Sequence, residues 1–103
     1  MKTKSVTAIT STGESIRITL PPAAWTGSDS CGTGITREAV YVGPRSKRVV
    51  VETYSIWDDG KGGHQGTAYM LIEDDETLAF LAGEYQEVAD ALESAKILVP
   101  ETL

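Results

Sequence analysis

One cysteine, Cys31, and one histidine, His64, are all that this chain of 103 residues offers of either type. A lone cysteine excludes an internal disulfide, and the two residues fall short of the ligands of a structural zinc site. No metal or other cofactor is therefore expected, and a reducing, cytoplasmic compartment suits the cysteine content. Long apolar runs are missing too. Ala68 to Ile72 is the best of them, far short of the roughly 20 residues of a membrane-spanning helix. No apolar stretch follows Met1 to Thr7, so neither a signal peptide nor a membrane partner is expected. Basic clusters are also sparse. Arg45, Lys47 and Arg48 form the sole candidate, which argues against direct nucleic-acid binding.

What is present is ordinary globular usage, with 41% hydrophobic and 23% charged residues. That composition excludes wholesale disorder, and the length predicts a single domain over residues 1–103. The net charge of −6 is unevenly spread. Residues 1–51 carry seven basic and three acidic side chains, a balance of +4, while residues 52–103 carry two basic and twelve acidic ones, a balance of −10. Such asymmetry points to a charged interaction surface or to internal pairing.

Hydrophobic periodicity predicts strands through most of the chain. Ser5 to Thr10 is β-branched, and Ser15 to Leu20 puts Ile16, Ile18 and Leu20 on one face, so the two suggest a hairpin ended by Pro21-Pro22. Residues 23–37 are rich in Gly, Ser, Thr and Asp and read as a long loop. Ala39 to Val42 predicts a third strand. Arg48 to Trp57 predicts the longest, apolar on both faces and hence central. Asp58 to Gly66 reads as a glycine-rich connection to a fifth strand at Thr67 to Ile72. The remainder predicts one helix, capped by Asp74 or Asp75, with Leu78, Leu81, Tyr85, Val88 and Leu92 as its apolar stripe and Gly83 as a place for a kink. The expected fold is α+β: an antiparallel sheet of four to five strands with one amphipathic C-terminal helix on a face.

That helix carries the strongest functional signal. Between Glu73 and Glu93 there are eight acids and no Lys or Arg. Glu76, Glu84, Glu87, Asp90 and Glu93 fill the arc opposite the apolar stripe. On one continuous helix the pairs Glu84–Glu87, Glu87–Asp90 and Asp90–Glu93 repel, at a combined cost of roughly 1 kcal/mol. Phe80 projects into this arc, between Glu76 and Glu84, and is placed to anchor an interface. A face of this kind suits a partner protein with a basic surface, one that otherwise holds nucleic-acid phosphates. The alternative is a solvated face, or one neutralised by Arg45, Lys47 and Arg48.

Two lesser sites remain. The segment Asp58-Asp59-Gly60-Lys61-Gly62-Gly63-His64-Gln65-Gly66, preceded by Trp57, reads as a flexible hairpin tip, with a cation held by Asp58, Asp59 and His64, or a partner contacted through Trp57, Asp58 and Asp59, as its functional alternatives; its spacing matches neither a P-loop nor an EF-hand. Cys31 and His64 form the only nucleophile–imidazole combination, on two separate predicted loops. Trp25, Tyr41, Tyr54 and Tyr69 fit core packing. The leading expectation is therefore a non-enzymatic binding protein. It is similar to the small acidic inhibitors of phages and plasmids, anti-CRISPR proteins and DNA mimics among them, an analogy of size and charge alone. The alternatives are a self-associating assembly protein, as a homodimer through a sheet edge, and a small hydrolase built on Cys31 and His64.

Overall fold

The computed structural model describes residues 4–31, 34–57 and 64–99. The fold is α+β. Among the described residues, six strands precede two helices: β1 (Lys4–Ile9), β2 (Ser15–Leu20), β3 (Trp25–Cys31), β4 (Gly34–Val42), β5 (Val49–Trp57), β6 (His64–Ile72), α1 (Asp75–Glu84) and α2 (Gln86–Ser94). The strand order is β2-β1-β6-β5-β4-β3. Neighbours run antiparallel except β1 and β6, which are parallel and meet at Ile9 and Met70. The sheet is thus mixed and six-stranded, where four to five antiparallel strands were expected.

The extra strand is β3. Its residues, Trp-Thr-Gly-Ser-Asp-Ser-Cys, have poor β propensity, and the expected loop over 23–37 is corrected to an edge strand and the first half of β4. What makes it a strand is β4: every residue from Trp25 to Cys31 pairs with one from Val40 back to Gly34. The ladder supplies what the side chains do not.

Strand alternation divides the core in two. Val40, Val42 and Val49 face the helices and pack with Leu78, Leu81, Val88, Leu92 and Ala95. Ala39, Tyr41, Val50 and Leu71 face the other way and pack with Val6 and Leu20 of the first hairpin. The β1–β2 hairpin therefore folds over the face opposite the helices. Burial on both faces explains the unbroken Val49-Val50-Val51 run, and β5 is central as its pattern predicts.

The single expected helix is two. Asp74 caps α1, its carboxylate accepting from the Thr77 backbone N–H at 2.9 Å and the Thr77 hydroxyl at 2.6 Å. The helix stops at Tyr85, whose backbone is extended (φ −129, ψ 115). Gly83 lies two residues before the break. The Tyr85 ring stacks on Trp25 with centroids 3.7 Å apart and planes at 19°. Lys96 ends α2 in the left-handed region (φ 61). There its N–H donates to Glu93 O at 3.0 Å, and the Ile97 N–H donates to Leu92 O at 2.9 Å, a Schellman closure.

Candidate functional site

The apolar stripe lies where its spacing predicts: Leu78, Leu81, Val88 and Leu92 are buried. Glu76, Glu84, Glu87, Asp90 and Glu93 are all exposed. Phe80 is 64% exposed. Its neighbour Ala79 is exposed too, and a methyl group added at Gly83 would meet nothing within 4 Å. The ring therefore stands clear of its surroundings. The break at Tyr85 corrects one detail. Glu84 and Glu87 lie on different helices, so they are not a repelling i,i+3 pair, and the acids form two short groups instead of one rod. The Gln86 side-chain amide donates to Asp90 at 2.9 Å, which relieves part of the crowding on α2.

Arg45, Lys47 and Arg48 are exposed on the β4–β5 turn. Among the described residues the only direct ion pair is Lys4–Glu52 at 3.2 Å. The basic turn therefore makes no direct pair with the helix acids.

That ion pair belongs to a polar cluster under the β1–β2 hairpin, which no local motif announces. The Lys4 ammonium donates to Glu52 and, at 3.0 Å, to the Tyr69 hydroxyl; the Tyr41 hydroxyl donates to Glu52 at 3.1 Å. The hydrogen bond to Tyr69 raises the Lys4 ammonium above its ordinary range, against a desolvation that lowers it, with Glu52 adding to the rise. Burial pushes the Glu52 carboxyl up, but Tyr69, Lys4 and Tyr41 together outweigh it and hold it below its ordinary value. Burial, then the Glu52 carboxylate, raise both the Tyr41 and Tyr69 phenols. Beside this cluster the Arg37 guanidinium lies 5.9 Å from the Tyr54 ring centroid.

A second feature that sequence reading missed is a cleft of about 260 Å³ at the sheet edge, lined by Trp25, Gly27, Ser28, Thr36, Glu38 and Tyr85. The signal available was the Trp25–Gly27 spacing, which places both on one strand face. A β-carbon at Gly27 would come within 2.5 Å of the Trp25 indole. Glycine is thus what lets that ring lie down along the strand.

The other expected residues are not brought together. Asp58 and Asp59 lie outside the described residues, and Trp57 is placed only as the last residue of β5. Cys31 pairs with Gly34, Gly34 with Trp57, and Trp57 with His64. Cys31 and His64 therefore stand on strands three steps apart, about 14 Å of sheet between their backbones. Among the described residues no three His, Cys, Asp or Glu side chains are grouped to hold a metal ion. No helix among them is long and apolar enough to cross a membrane. No family model, no curated protein and no solved structure matches the chain.

Proposed function

We propose that this chain is a non-enzymatic binding protein that docks the outer faces of α1 and α2 on a basic protein surface. Phe80 carries the proposal. It is the one large apolar side chain of the two helices left exposed, at 64%, and Glu76 and Glu84 lie one turn to either side of it. An aromatic set among carboxylates suits an interface anchor ringed by charge. The absence of a direct basic partner for the helix acids among the described residues supports a counterpart in another molecule. Carboxylates on such a face compete for the Lys and Arg side chains that hold phosphates, so the docking would inhibit a nucleic-acid-binding partner.

The test is capture from lysate, followed by identification of the partner and titration of the purified pair. Affinity is expected to fall as salt rises. Phe80→Ala is expected to weaken it by about 30-fold, the scale of an interface hot spot. The double reversal Glu84→Lys/Glu87→Lys should abolish capture. Affinity indifferent to all three changes would sink the proposal.

A further inference from the structure

Among the described residues β3 is the last strand in the order, and no strand pairs with its outer edge. Natural edges are blunted by lysine, proline or a bulge. β3 has no lysine or proline, and its seven-residue pairing with β4 runs without a bulge. Its outer backbone groups are available to a further strand. Concavities flank this edge on both faces of the sheet. On the helix side lies the cleft of Trp25, Tyr85 and Glu38. On the hairpin side a hollow of about 510 Å³ is lined by Thr26, Ser28, Arg37, Tyr41 and Glu52, among others. An added strand points alternate side chains to opposite faces, so it would fill both.

We propose that the β3 edge accepts an extended segment of a partner protein as a seventh strand, with a lysine or arginine on its helix side laid along Trp25 and Tyr85 toward Glu38. Charge selects that occupant. Among the described side chains the helix-side cleft holds one carboxylate, Glu38, and no base, and the exposed Glu84 and Glu87 flank Tyr85. The aromatic pair suits the aliphatic stem of a long basic side chain, and Glu38 its charged end. A second copy fits less well. Its own β3 has no basic residue to offer. Its β2 edge has Arg17, but that guanidinium is committed to Thr7 Oγ1 at 3.0 Å and the Ser5 carbonyl at 3.3 Å. This surface is separate from the Phe80 face, so the two proposals stand or fall independently.

The probe is a capped heptapeptide of alternating threonine and lysine, with its glutamate counterpart as control, titrated by amide NMR. The lysine peptide is expected to shift Trp25 to Ser28 and Tyr85 and to slow exchange of the β3 amides. The glutamate peptide should shift none of them. Glu38→Lys should weaken binding by about tenfold or more, Glu38→Gln by less, and Phe80→Ala not at all. Shifts confined to α1 and α2, no shifts, or equal binding by the Glu38→Lys protein would each overturn the proposal. So would β3 amides already protected in a concentration-dependent oligomer without peptide, which would assign the edge to a second copy.

Discussion

The two faces of the central sheet are held by different physics. Among the described residues the helix face is closed by apolar contact: α1 and α2 turn Leu78, Leu81, Val88 and Leu92 inward and every acid outward. The hairpin face has a smaller apolar set and beside it the Lys4, Glu52, Tyr41 and Tyr69 cluster. A face held by dispersion and burial responds to changes of volume. A face that also relies on charge responds to pH and salt. The largest expected effects are therefore core truncations on the helix face. Leu92 is 0% exposed, so Leu92→Ala should cost about 3–5 kcal/mol in urea unfolding. Leu20, at 2%, belongs to a two-stranded ribbon with more freedom to settle, and Leu20→Ala should cost about 2–3 kcal/mol. A larger loss at Leu20 than at Leu92 would break the comparison.

The next effect sits where the helix layer meets the sheet edge. Gly27→Ala would drive a methyl group against the Trp25 indole, whose ring also stacks on Tyr85. The indole has to leave that stack or the strand has to shift, at a cost of about 1–3 kcal/mol. Loss of near-ultraviolet signal from the aromatic pair, with secondary structure retained, would register the change. An unperturbed spectrum would show that the stack does not hold the break at Tyr85.

Much of this contrast was legible in the sequence, and the rest was not for identifiable reasons. Period two placed Ile16, Ile18 and Leu20 on one face, and period 3.6 placed Leu78, Leu81, Val88 and Leu92 on another, because both patterns record which side is buried. The central position of β5 followed from apolar residues on both of its faces. β3 was hidden because its pairing depends on backbone groups that Thr, Gly, Ser and Asp possess as fully as Val does. The break at Tyr85 was hidden because the ring it stacks on, Trp25, lies about sixty residues away in sequence. Of the candidate site, the exposure of Phe80 and the acids was readable from phase alone. The cleft at Glu38 needed the β3–β4 register.

The hairpin face should show its charge dependence in smaller steps. The folded state holds Glu52 below its ordinary value of 4.5. A depressed carboxyl stabilises the fold above its unfolded value, and that contribution is lost as pH falls through the folded one. Tyr41 and Tyr69 are raised above 10.0 and Lys4 above 10.5. Their contributions are full below those ordinary values and are lost as pH rises through the folded ones. Stability should therefore decline below about pH 4.5 and again above about pH 10. Asp74, held low by its hydrogen bonds to Thr77, adds to the acid limb from the helix side. Glu52→Gln should flatten the part of the acid limb that Asp74 does not supply. Its cost at neutral pH should be about 1 kcal/mol or less, since the Lys4 side chain is 56% exposed and solvent screens the pair. Unchanged pH profiles in this variant would remove the cluster from the account.

The smallest expected effects compare two lysines in the left-handed region, Lys47 on the β4–β5 turn (φ 58) and Lys96 at the end of α2 (φ 61). A side chain there costs about 1–2 kcal/mol, and glycine removes that strain while adding about 0.5–1 kcal/mol of unfolded-state entropy. Lys47→Gly should therefore stabilise by about 0.5–1 kcal/mol. Lys96→Gly should gain less. Lys96 is the one Lys or Arg that follows Lys61 in the sequence and comes just after the end of α2, and its removal forfeits a helix-end interaction worth about 0.3 kcal/mol or more. That difference should shrink in high salt, because the lost term is screened and the backbone term is not. If the two variants gain equally at low salt, the acids of α2 do not feel Lys96, and their charge is free to act on a partner.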